Sequence, residues 1–442
     1  MAASTVSSWV PPSLPESAAA SGLVLLDRWC YIADLPNTTT AESTTSSGLT
    51  IKVTFRAARP PLLSHFCVHC PGLDFRSIGP KIVATDADLV LLCVPLDPNR
   101  TIRGLNWDYF VYRPRSKGLD LLPNPHPRCL HDSATALISR KDGACYVVAA
   151  LGVRSPVYDG DALIGWEFDL HLYRSSDSKG WTSKRLSVHE FERDELIPLP
   201  RSVDRLYHET GKTITIGGEH GTVAWVDLWR GIFLCDVLKE CPILQDVPLP
   251  VPARGSWDRL LRNGDPSYLR DVTISRNKDS IKYVELELRS REELNTTTPV
   301  SYTDWVRNNS RKSQVIPDGW KFTTWNMAIQ VGFLEGWHRD CVVDVKDVSL
   351  EASDPCLSEL MSALISKTTG TLKELPVAYP ILSMDDDVVY LLCQTRPRHI
   401  EKLAVMFAID VRKSTLRGLA EIDVQKFIFL PKFCISEICR GT

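Results

Sequence analysis

A hairpin signature that recurs about every sixty residues sets the tightest limit on what this chain can fold into. An apolar strand runs into Tyr or Asp, a short polar turn follows, and an apolar or aromatic residue opens the return strand. Phe110-Val111-Tyr112-Arg113-Pro114 precedes Leu119-Asp120-Leu121-Leu122, and Leu170-His171-Leu172-Tyr173 precedes Trp181. Ala224-Trp225-Val226-Asp227 precedes Gly231-Ile232-Phe233-Leu234, and Phe407-Ala408-Ile409-Asp410 precedes Leu416. The last gap in the series is about three times the first, so two further hairpins are expected near residues 288 and 349. A period of this size in an all-β pattern points to radial repetition of small sheets. The expected fold is therefore all-β and propeller-like, with about six blades and few inserted short helices.

The segments between the signatures support this reading. Residues 1–21 are rich in Ser, Ala and Pro and read as a disordered tail; residues 22–442 read as one propeller-like domain. Leu23–Ile32, Ile51–Phe55, Ile82–Ala84 and Leu89–Val94 read as strands, with Thr85-Asp86-Ala87-Asp88 as a turn. Asp354 and Pro355, followed by Leu357, Leu360, Met361 and Leu364, predict a helix over about 355–366. A short second helix is expected over Trp257–Leu261. The polar stretches 35–48 and 289–320 read as long loops.

Composition excludes several function classes. The net charge of −3 gives no global drive toward nucleic acid or an acidic membrane. The longest apolar stretches, Ala87–Leu96 and Cys145–Val153, are about half of what a bilayer-spanning helix needs. The thirteen cysteines are odd in number, and most lie inside apolar strand-like runs, such as Cys93, Cys145, Cys235 and Cys393. They read as reduced, buried thiols, which places the chain in the cytoplasm or nucleus. The beginning of the sequence lacks the basic n-region of a secretory signal, and a plastid transit peptide is the alternative there.

No local motif carries a defined chemistry. Cys67, His69 and Cys70 have the spacing of half a zinc site, but structural zinc takes four ligands and no second half follows. On one strand Cys67 and His69 share a face and Cys70 takes the other. Asp385, Asp386 and Asp387 lack the alternation of a calcium loop and read as a solvated hairpin turn. Gly217-Gly218-Glu219-His220-Gly221 lacks the Lys-Ser/Thr of a phosphate loop and reads as a strand connection. His189-Glu190 has no second His four residues on. Arg113, Arg115 and Lys117 make a basic turn too short for nucleic-acid binding. Trp107, Trp181, Trp225, Trp229, Trp320, Trp325 and Trp337 read as core between blades rather than as a ligand platform. No catalytic, cofactor-binding or metal-binding residue, and no cofactor, is assigned.

Asp27-Arg28-Trp29-Cys30-Tyr31-Ile32-Ala33-Asp34, Val68-His69-Cys70-Pro71-Gly72 and Trp225-Val226-Asp227-Leu228-Trp229-Arg230-Gly231-Ile232 occur in this chain. So do Tyr268-Leu269-Arg270-Asp271-Val272 with Ile281-Lys282, and Tyr379-Pro380-Ile381-Leu382-Ser383 with Val388-Val389-Tyr390. In combination they resemble the plant domain-of-unknown-function family numbered sixteen-eighteen, expanded in grasses. The resemblance implies no activity or cofactor. Some relatives carry an F-box ahead of such a domain, and residues 1–21 are too short and polar for one. The resulting expectation is a non-enzymatic protein-interaction module with protein partners, and neither nucleic acid nor membrane. The alternatives are a hydrolase using a propeller channel and a degenerate relative of F-box-associated substrate adaptors. A hydrolase predicts carboxylates or His converging in one pocket from several blades.

Overall fold

A computed structural model describes residues 10–14, 22–75, 78–96, 107–125, 130–159, 162–188, 208–250, 265–293, 314–330, 333–334, 336–350, 355–368, 371–385, 387–395, 403–422 and 433–438. The described residues form six small, mostly antiparallel sheets in a ring, a six-blade β-propeller with one α-helix. Blade I takes β1 (Val24–Asp27), β2 (Tyr31–Ile32), β3 (Ala41–Thr44), β4 (Thr50–Arg56) and β5 (Leu63–His69). Blade II is β6 (Lys81–Asp86), β7 (Leu89–Pro95), β8 (Trp107–Arg113) and β9 (Gly118–Leu121). Blade III is β10 (Thr135–Arg140), β11 (Cys145–Asp159), β12 (Ala162–Arg174) and β13 (Thr182–Ser187). Blade IV is β14 (Lys212–Gly217), β15 (Thr222–Asp227), β16 (Gly231–Asp236) and β17 (Gln245–Pro248). Blade V is β18 (Arg270–Ile274), β19 (Ser280–Glu293) and β20 (Gln314–Gln330), flanked by β21 (Phe333–Leu334) and β22 (His338–Asp344). Blade VI adds β23 (Ser349–Leu350), β24 (Val377–Leu382), β25 (Val388–Thr395), β26 (Leu403–Asp410) and β27 (Thr415–Ile422). The ring closes when β28 (Phe433–Ser436) pairs antiparallel with β1, Val24 opposite Ser436 and Asp27 opposite Phe433.

The uninterrupted apolar strands of the sequence follow from this arrangement. Successive side chains of a strand point to opposite faces, and each face of an inner blade strand is covered by a neighbouring blade. In β7, Val90, Leu92 and Val94 enter the apolar cluster shared with blade I, while Leu89, Leu91 and Cys93 enter the one shared with blade III. In β15, Val223 and Trp225 face blade III, while Ala224 and Val226 face blade V. Six such clusters fill the six gaps. All seven tryptophans named above pack into or against them, as expected; Trp225 also donates Nε1–H to the Ala134 carbonyl at 2.8 Å.

The helix expected near 355–366 is α1 (Pro355–Thr368), and its Leu357, Met361 and Leu364 seal the gap between blades V and VI. Other expectations need correction. The hairpin expected near 288 is a strand: β19 runs through Leu288 to Glu293, with only a register shift between Leu288 and Ser290. Its charged residues do not mark a turn: Glu287 pairs with Lys321 on the adjacent strand β20, and Arg289 reaches over β20 to Asp344 on β22. Near 349 the chain makes a 3₁₀ turn at Val345–Asp347 and passes to blade VI, where β23 runs parallel to β27. Of the supposed loop 289–320, the described ends belong to β19 and β20, while 294–313 lies outside the described residues. The polar stretch 35–48 contains the edge strand β3. Leu23–Ile32 splits into β1 and β2, because residue 29 bridges to Lys81 of blade II instead. Trp257–Leu261 and most of the expected tail, 1–9 and 15–21, lie outside the described residues.

The signature marks are also not equivalent. Tyr112, Tyr173 and Asp410 lie in the third strand of their blades, but Asp227 ends a second strand. Tyr112 donates its hydroxyl to the Thr39 carbonyl of blade I at 2.6 Å. Asp227 and Asp410 accept from the amides two residues on, Trp229 and Arg412, which tightens each turn.

Candidate functional site in the axial channel

The innermost strand of each blade is a sheet edge, so its outer backbone groups need partners. Side chains of the next blade supply many of them. Thr213 and Thr215 of β14 donate hydroxyls to the carbonyls of Thr135 and Leu137 on β10, at 3.0 and 2.7 Å. The Asp86 carboxylate accepts from the Ser139 amide at 2.7 Å, and Asp271 accepts from the Leu382 amide at 3.2 Å. Arg28, just past β1, donates to the carbonyls of Ile82 and Val83 at 3.1 and 2.8 Å.

These inner strands enclose a cavity of about 520 Å³, within the range of small-molecule sites. Charged side chains from most blades reach it, and several of them are paired. Lys212 meets Asp271 at 2.7 Å, joining blades IV and V. Lys278, on the β18–β19 turn, meets Asp86, on the β6–β7 turn, at 2.7 Å. That contact spans the ring, since blades II and V face each other across the axis. Arg270 is fully buried; it pairs with Glu285 at 3.1 Å and donates to the carbonyls of Leu228 and Trp229.

Two carboxylates at the Lys278 end have raised proton affinity. Burial pushes Asp86 up, against the pull of Lys278 and the Ser139 amide. Burial also pushes Glu437 up, with Asp86 adding to the shift and Lys278 and Arg276 opposing it. Lys278 and Ala87 both hold left-handed backbone, with φ of 58° and 51°. Glycine is the favoured residue in that conformation, and Lys278 holds it with its ammonium on Asp86.

The residues singled out in sequence do not gather here. Phe66, Val68 and Cys70 face the blade I–II core, and Cys67 and His69 take the opposite face of β5, with His69 at 3.6 Å from Asp34. Asp385 and Asp387 lie on the β24–β25 connection, are exposed, and pair with Arg276 at 2.5 Å and Arg412 at 3.1 Å, so this turn is tied by ion pairs. Gly217–Gly221 connects β14 to β15, as expected. Arg113 pairs with Asp120 at 2.6 Å and Arg115 with Asp88 at 3.3 Å. His189 and Glu190 lie outside the described residues. Among the described residues, ten cysteines are free thiols, six of them buried, and no helix is long and apolar enough to cross a membrane. Sequence reasoning missed Lys278, Glu437 and the Lys212–Asp271 pair. Asp86 and Lys278 lie 192 positions apart, and no local pattern announces a pairing that exists only once the ring has closed.

Residues 225–390 match the sequence model of a family described as a protein of unknown function, DUF1618. The matched span runs from Trp225 in β15 through all of blade V to the start of blade VI. No curated protein matches the chain.

Proposed function

We propose that the ring, read as one domain from residue 22 onward, is a non-enzymatic scaffold that binds protein partners through the turns at its rims. The observation that carries this reading is the use made of the channel's charges. Asp86, Lys278, Lys212, Asp271, Arg270 and Glu285 are committed to one another or to backbone groups of neighbouring blades. Groups tied in this way hold the ring closed, while the rim turns vary in length and charge on a rigid support. The competing hydrolase reading draws on Asp86 and Glu437, two carboxylates of raised proton affinity in one channel.

Affinity capture with the tagged chain separates the two. The scaffold reading expects the same defined partners, at fixed stoichiometry, with the wild-type chain and with the variant Asp86→Asn/Glu437→Gln. Turnover in a hydrolase substrate panel that disappears in that variant would replace the scaffold by the enzyme.

A further inference from the structure

On the far side of the Asp86–Lys278 contact lies a second cavity, of about 740 Å³, at the rim where the inner strands end. Its cations come from the turns of three blades: Arg115 of blade II, Arg140, Lys141 and Arg174 of blade III, and Arg276 and Lys278 of blade V. Its carboxylates are Asp86, Asp88, Asp142 and Glu437. Three cations are already neutralised, Arg115 by Asp88, Arg276 by Asp385 and Lys278 by Asp86. The other three differ. Arg140 donates one N–H to the Gly218 carbonyl at 2.5 Å. Among the described residues, neither Arg140, Lys141 nor Arg174 has a carboxylate partner. Arg140 and Arg174 are half-buried, and Lys141 is exposed on a turn held at φ 49°.

We propose that this cup, centred on Arg140, Lys141 and Arg174, binds a phosphate-bearing side chain of a partner protein. The proposal rests on the scaffold reading and names the chemistry of its partner. A guanidinium offers a planar fork of donors that matches phosphate oxygens, and an ammonium beside it adds a mobile point charge. Clusters of this kind are a recurring means of reading phosphorylated segments. The half-buried setting keeps the two arginines less screened than surface charges. Nucleic acid fits less well. Its backbone calls for a stripe of cations, whereas Asp88 and Asp142 interrupt this cup and the chain as a whole is acidic.

The test is a titration of the full chain at low salt with four probes: a Gly-Ser peptide carrying one phosphoserine, its unphosphorylated twin, inorganic phosphate, and a short single-stranded oligonucleotide. The phosphopeptide is expected to bind saturably and to weaken as salt is added, with the twin failing to bind. Arg174→Ala is expected to lose about tenfold in affinity, the loss of one charged hydrogen bond. Lys141→Glu, on an exposed turn where folding is not at stake, is expected to lose at least as much. Binding unchanged in both variants, no saturable binding of the phosphopeptide, equal binding of inorganic phosphate, or tighter binding of the oligonucleotide would overturn the proposal. Partners captured equally by wild type and both variants would also overturn it, while leaving the scaffold reading in place.

Discussion

At the scale of the residue, the ring depends on a few groups whose burial makes them costly to change. Arg270 and Glu285 are 0% and 1% exposed, and each is the other's counter-charge. Glu285→Ala leaves a buried guanidinium without its carboxylate, and urea unfolding is expected to show a loss of about 3–5 kcal/mol. Replacing both by apolar residues of similar volume is expected to recover much of that loss, because the desolvation cost disappears with the pair. Gly221 sits at φ 61°, and a Cβ there would lie 2.9 Å from the Leu238 Cδ1 atom. Gly221→Ala combines a left-handed alanine with that contact, and a destabilisation of about 1–2 kcal/mol is expected in the same measurement.

At the scale of the element, blades are joined by side chains that serve a neighbour's backbone. Thr215 is the clearest case, with its hydroxyl on the Leu137 carbonyl. Thr215→Val keeps the shape and removes the donor, and a loss of about 1–2 kcal/mol is expected by chemical denaturation. Glu437, immediately after β28, carries a pH dependence of defined sign. Burial raises its folded proton affinity above that of an unfolded glutamate. The folded state therefore holds the proton more tightly, and stability falls as pH rises from the ordinary glutamate range through the raised folded value. Glu437→Gln is expected to flatten that slope in melting curves recorded across the acidic range; a slope unchanged by the substitution would show that the effect lies elsewhere. Strand identity was legible wherever alternation or a continuous apolar run was strong, as in β4, β7 and β15, and α1 was legible from its cap and spacing. Phase was not. The mark at Asp227 falls one strand earlier than those at Tyr112, Tyr173 and Asp410, and since Asp227 and Asp410 cap their turns alike, the residue that ends a strand does not say which strand of the blade it is. The charged run around Leu288 looks like a turn in sequence, but β19 continues through it, with Glu287 paired to Lys321 and Arg289 to Asp344.

At the scale of the whole molecule, blade number was readable and the site was not. A period of about sixty residues gives six units when it is laid over roughly residues 50–442, and the six sheets bear out that number although the marks that set the period are not equivalent. The channel charges and the basic cup are assembled from turns of different blades, so no window of sequence contains them. Closure by β28 on β1 makes the last inner strand part of the first blade, and every cluster between blades then has two walls. The Asp86–Lys278 contact across the axis belongs to the same closure. The account therefore separates two roles: channel charges keep the ring shut, and rim turns meet partners. The most direct measurement is the dissociation constant of a captured partner for wild type and for Lys212→Met, which breaks the pair with Asp271 in the channel, with urea unfolding recorded on the same samples. The account predicts a lower unfolding midpoint for Lys212→Met with partner affinity within about twofold of wild type. An unchanged midpoint, together with loss of the partner or of a measurable turnover, would contradict it and make the channel the working site.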